Sequence, residues 1–146
     1  MRRRRNSAAD AAFVAHCRAR GLAVTEQRRA IFAALAQSRE HPSAEQIHRA
    51  VRARMPNVSL ATIYKNLEAL SAIGAVSDVN PLHEHGRYEA ALPGTGAGSP
   101  HHHLVCVRCR RVVDLHEARV SVGNPHGFEV RAVRVQVEGL CPACRG

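Results

Sequence analysis

Apolar positions recur at helical spacing through the first half of the chain and at strand spacing through the second. From about Ala8 to Arg20, the spacing of Ala12, Phe13, Ala15 and Ala19 predicts a first helix, ended by Gly21. Thr25 has the chemistry of an N-cap for a second helix, with Glu26 in its first turn and Ile31, Phe32 and Leu35 as its apolar stripe. Ser43-Ala44-Glu45-Gln46 reads as the capping box of a third helix that turns Ile47, Ala50 and Val51 inward and stops at Pro56. Ser59 caps a fourth, whose buried side is marked by Leu60, Ile63, Leu67, Leu70 and Ile73 and whose end is Gly74. Thr62, Lys65 and Glu68 fall away from that stripe and Tyr64 lies at its edge, giving the short polar face that a recognition helix needs.

Two short extended runs follow, Ala75 to Val79 and Arg87 to Leu92, joined by a polar turn from Asn80 to Gly86. Helices three and four followed by a hairpin make a winged helix-turn-helix. Pro93 to Pro100 breaks every period and reads as a linker. Beyond it, His101 to Val107, Arg111 to Leu115 and Phe128 to Val137 are predicted strands. Phe128 and Val130 fall on the opposite parity from Val133, Val135 and Val137, which predicts a bulge near Ala132. Between the last two strands only a very short helix fits. The expected class is therefore α+β: a winged-helix domain over residues 1–92 with a basic arm at 1–7, a linker at 93–100, and an α/β domain at 101–146.

The run from His101 to Cys109 carries the candidate chemistry. Residues two apart on a strand share a face, so His101 and His103 can converge on one ion while His102 points away. Cys106 and Cys109 have Cys-x-x-Cys spacing, repeated at Cys141 and Cys144, and two such pairs predict a closed tetrahedral structural zinc site. Aromatic residues make up only 3% of the chain, so the core must be small and aliphatic and zinc would help it fold.

Charge adds a partner. The net charge is +9, almost all of it from arginine because Lys65 is the one lysine, which favours a polyanion such as double-stranded DNA. No apolar h-region follows Arg2 to Arg5 and no run reaches membrane-span length, so a cytoplasmic protein without a membrane partner is expected. A reducing compartment favours metal thiolates over disulfides, and Cys17, within a helical pattern, reads as a small buried residue. His83-Glu84-His85 and His116-Glu117 lack an accompanying nucleophile or phosphate loop, so neither an enzyme nor a small-molecule substrate is expected. A different class, a cysteine-based thiol redox switch, stays open because Arg108, Arg110 and Arg111 would lower thiol pKa values.

The chain resembles the ferric uptake regulator family of bacterial metal- and peroxide-sensing transcription factors. The resemblance rests on Thr25-Glu26-Gln27-Arg28, His41-Pro42-Ser43-Ala44, Ser59 to Leu67, His101 to Cys109, Val113-Asp114 and Gly139 to Cys144, which run in family order. It implies a homodimeric repressor of a palindromic operator, with an N-terminal DNA-binding and a C-terminal dimerisation domain. Structural Zn(II) then belongs on Cys106, Cys109, Cys141 and Cys144. A regulatory Fe(II) or Mn(II) belongs on His41, Glu89, His101, His103 and Asp114, a mixed N/O set suited to such ions. DNA contacts are expected from Arg28, Ser59, Thr62, Tyr64 and Lys65. Asp114 resembles the peroxide-responsive branch, in which hydrogen peroxide reacting at bound Fe(II) oxidises ligand histidines, here His41 and His101, while Glu89 departs from it. Peroxide sensing is preferred on this pattern, with an iron- or manganese-responsive repressor as the alternative. The family's additional metal site should be absent, because Pro100, Ser121 and Val133 supply no ligand. His83, His85, His102, His116 and His126 are read as surface or structural. The segment between Asp114 and Cys141 is short, with Asn124-Pro125 where a dimerisation helix would run.

Overall fold

The computed structural model describes residues 2–79, 86–93, 95, 101–116, 119–123, 126–131, 133 and 135–146, with residues 2–7 as backbone only. The chain divides into two compact units, Met1–Ser99 and Pro100–Gly146. No helix among the described residues is long and apolar enough to cross a membrane.

The N-terminal unit is a winged helix-turn-helix built from α1 (Arg2–Ala19), α2 (Glu26–Gln37), α3 (Ala44–Arg52), α4 (Leu60–Ala72) and the hairpin strands β1 (Val76–Asp78) and β2 (Tyr88–Ala90). Three helices start where cap chemistry puts them. The side chains of Thr25, Ser43 and Ser59 accept from the backbone N–H of Arg28, Gln46 and Thr62, and Gln46 reaches back to complete the capping box. Gly21 and Gly74, both at positive φ, lie just past the ends of α1 and α4, where a Cβ would be strained. Phe13 and Phe32 stack with ring centroids 4.5 Å apart and join Ile31, Leu35, Ile47, Val51, Ile63, Leu67 and Leu70 in one buried cluster. The hairpin closes over it in antiparallel register, with Val76 opposite Ala90 and Asp78 opposite Tyr88.

Several expectations are corrected. α1 begins at Arg2, not near Ala8, so the basic arm is helical over residues 2–7; arginine is a good helix former and nothing breaks the run. Phe13 and Cys17, four residues apart, set its buried face, leaving Ala15 and Ala19 exposed. In α3 the buried residues are Ala44, Ile47 and Val51, and Ala50 faces solvent. Ala15, Ala19 and Ala50 yield the core to larger side chains, whose burial contributes more. On α4, Leu60 and Ile73 are only half-buried, whereas Asn66 is buried and donates from Nδ2 to the Thr62 carbonyl at 2.9 Å. The hairpin turn at 80–85 and most of the linker lie outside the described residues.

The C-terminal unit is a three-stranded sheet of β3 (His102–Cys106), β4 (Val112–Leu115) and β5 (Gln136–Gly139), ordered β4-β3-β5, followed by the one-turn α5 (Pro142–Arg145). β3 pairs antiparallel with β4 and parallel with β5. The third strand thus lies later than the predicted Phe128 to Val137, and Phe128 is 77% exposed. The parallel pairing has a local reason. β3 leads into Cys106 and β5 into Cys141, and both knuckles must arrive at one end of the sheet. The predicted bulge at Ala132 lies outside the described residues.

Candidate metal centres and recognition helix

Each Cys-x-x-Cys pair forms a tight knuckle. Arg110 N–H donates to the Cys106 carbonyl and Cys144 N–H to the Cys141 carbonyl, both at 2.9 Å. Arg108 Nη1 donates to the Cys144 carbonyl at 2.8 Å, tying one knuckle to the other. The four sulfurs all lie within 4.8 Å of one another, and Cys109 and Cys141 Sγ are 3.8 Å apart. A tetrahedral zinc with Zn–S bonds of about 2.3 Å holds its sulfurs about 3.8 Å apart, so the residues fit the ion. One thiol is biased toward it and one away from it. Backbone N–H groups of Cys109 and Cys141 pull the Cys106 thiol down to about 6, while hydrogen bonding to Cys141 pushes Cys144 up to about 12. Without a cation, sulfurs this close must share protons; a dication replaces those protons on all four.

Each unit contributes imidazoles and carboxylates. In the N-terminal unit His41 is 6% exposed and its Nδ1 lies 3.5 Å from Glu89 Oε2. His41 has φ of 47°, a left-handed conformation costly for histidine. The wing holds it there: Arg87 Nη1 donates to the His41 carbonyl at 3.4 Å and to Gln46 Oε1 at 3.0 Å, and Tyr88 N–H donates to the Pro42 carbonyl at 3.1 Å.

In the C-terminal unit the sheet register does the placing. His103 sits opposite Asp114 on neighbouring strands and so shares its face, and His101, two residues earlier, does too. His101 Nε2 is 3.4 Å and His103 Nε2 3.7 Å from Asp114 Oδ1. His102 lies on the opposite face, as its parity requires. These are mixed N/O donors, fitting Fe(II), Mn(II) or Zn(II) rather than soft ions.

Of the five residues expected to touch DNA, Tyr64 (46% exposed) and Lys65 stand out from α4. Ser59 and Thr62 use their hydroxyls on each other, 2.8 Å apart at the helix cap, and Arg28 Nη1 donates to the Ala23 carbonyl at 2.6 Å. The Tyr64 hydroxyl donates to Glu45 Oε1 of α3 at 2.9 Å, a contact that raises the phenol's pKa. Sequence reasoning missed the parts played by Glu45 and Arg87, whose contacts cross between elements; His116, expected at the surface, is 58% exposed, with Nε2 3.8 Å from Asp114 Oδ2.

Residues 19–137 match the model of the Ferric uptake regulator family. The peroxide-responsive repressor PerR of Staphylococcus epidermidis is 31% identical over 137 residues, covering 90% of this chain and 87% of that protein. Among solved structures, PerR from Streptococcus pyogenes, described for peroxide sensing and gene regulation, is 31% identical with a TM-score of 0.52 and covers 93% of this chain and 92% of its own. The Helicobacter pylori ferric uptake regulator Fur, at 19% identity, shares the fold with a TM-score of 0.74 over 97% of this chain and 94% of its own. With the winged helix, the paired cysteine knuckles and the His/carboxylate sets in family order, the chain belongs to the ferric uptake regulator family.

Proposed function

We propose that the protein is a metal-dependent, DNA-binding transcriptional repressor that responds to peroxide. The observation that carries this reading is the division of N/O donors: His41 beside Glu89 in residues 1–99, and His101 and His103 beside Asp114 in residues 100–146. One Fe(II) or Mn(II) drawing on both sets favours the arrangement in which both are in reach, and so shifts the population toward it. His41 is well placed to transmit that choice. Pro42 and Ser43 connect it to the cap of α3, and Arg87 links its carbonyl to Gln46 of the capping box.

DNA is the proposed partner of the α4 face, with Tyr64 and Lys65 reaching bases and phosphate and the +9 charge supplying attraction. A second copy of the chain is the proposed partner of the C-terminal sheet. Val113, Leu104 and Val137 lie opposite one another across three strands, and each is 37–49% exposed, an apolar row that a dimer would cover. Two copies then present two recognition helices to a palindromic operator. Zn(II) on Cys106, Cys109, Cys141 and Cys144 is structural in this reading.

Bound Fe(II) would supply the reduction of hydrogen peroxide beside the ligand imidazoles. His41 and His101 are the side chains proposed to be oxidised: a ring C–H becomes C=O, one peroxide oxygen stays on the ring and the other leaves as water. An oxidised ring is a poor ligand, so repression ends. The test is anaerobic reconstitution of the zinc protein with Fe(II), a small excess of peroxide, and peptide mass spectrometry, with Mn(II) as control. One-oxygen additions at His41 or His101 in the iron sample alone support the reading. Unmodified histidines with iron bound would replace it with an iron- or manganese-responsive repressor, the reading that Glu89 favours.

A further inference from the structure

The proposed sensing site leaves one nearby donor unused. β3 and β4 pair with His103 opposite Asp114 and His102 opposite Leu115. Continued by one residue, that register sets His101 opposite His116. His101, His103, Asp114 and His116 then form a two-by-two patch on one face of the sheet, all within residues 100–146.

Side-chain positions agree with the register. Asp114 offers Oδ1 to His101 and His103 at 3.4 and 3.7 Å, and Oδ2 to His116 Nε2 at 3.8 Å. Ring centroids are 4.7 Å apart for His101 and His103, and 5.4 Å for His101 and His116. Two imidazoles on one tetrahedral ion, with metal–nitrogen bonds of about 2.0–2.1 Å, hold their centroids roughly 5 Å apart. Both pairs bracket that spacing.

We propose that this patch binds a tetrahedrally coordinated divalent cation, Zn(II) in kind, by itself, with His116 as the fourth ligand beside His101, His103 and Asp114. Zinc accepts four ligands without geometric penalty, whereas Fe(II) and Mn(II) take more, harder donors and so draw on His41 and Glu89. An ion held wholly by the C-terminal unit has no differential contact with the N-terminal one. It therefore occupies the sensing histidines without raising operator affinity, a consequence that rests on the function proposed above. A plain surface ion pair between His116 and Asp114 would instead leave metal binding indifferent to His116.

The test uses the full chain with zinc in place on its four paired cysteines and Co(II) as the probe, read by visible d–d absorption without thiolate charge-transfer bands. The double variant His41→Ala, Glu89→Ala should still bind one further Co(II) per chain, with the intense spectrum of four-coordination. Adding His116→Ala should weaken that binding at least about ten-fold, since loss of even an outer partner of a ligand costs this much. His116 is 58% exposed, so its removal should leave the melting curve unchanged. Equal Co(II) affinity with and without His116, or no further Co(II) in the double variant, overturns the proposal. Whether Mn(II) raises operator affinity in the unsubstituted protein is a separate measurement, so the sensing function can fail or stand independently.

Discussion

Removing zinc should unfold the C-terminal unit while leaving the helices of the N-terminal unit in place. Among the described residues of the C-terminal unit, the buried apolar side chains are Val105, Cys106 and Val112. At about 1.5–3 kcal/mol for each fully buried side chain, they contribute under about 9 kcal/mol. A structural zinc in a small domain contributes about 10–16 kcal/mol, more than all of that burial. The N-terminal unit, by contrast, has a buried cluster running from Phe13 to Leu92 and contains α1 to α4. With a strong chelator and a reductant present, far-UV circular dichroism should keep most of its helical signal. Amide hydrogen exchange should meanwhile show β3, His102 to Cys106, losing its protection. If β3 stays protected after one zinc per chain has been released, the reasoning is wrong, because the sheet would then be held by something other than the knuckles.

Phe32→Ala should cost about 3–5 kcal/mol, because Phe32 is 2% exposed and stacked on Phe13; a denaturant midpoint shift worth under about 1 kcal/mol, by the same scale, refutes this. The hydrogen bond to Glu45 raises the Tyr64 pKa, so its stabilisation is fully present below the phenol's ordinary value near 10 and is lost as pH rises through the folded value. In a Tyr88→Phe background, Glu45→Gln should bring the phenolate absorbance titration of Tyr64 to lower pH; an unmoved titration means the contact is absent in solution. Lys65→Ala should reduce the slope of log affinity against log salt by about one without changing the unfolding midpoint, and an unchanged slope would remove Lys65 from the phosphate contacts.

Much of this protein was readable from short-range chemistry. Thr25, Ser43 and Ser59 each cap a helix through a backbone group three residues away, and the cysteine pairs form knuckles within four residues, so the sequence alone determined both. The parity of His101 and His103 was equally local. Asp114 and Glu89 were different: no local pattern marks them, and resemblance alone nominated them. What the tertiary structure decided was register. Pairing His103 with Asp114 puts a carboxylate on the histidine face, and a slip of one residue would put Val113 there instead. The same kind of long-range choice moved the third strand to Gln136–Gly139 beside β3, turned Ala15 and Ala50 to solvent, and set Glu45 against Tyr64. Caps and knuckles close within a single turn of backbone, so their chemistry is written into neighbouring residues. Strand partners and buried faces are selected by the summed packing of distant side chains, which no short window of sequence contains.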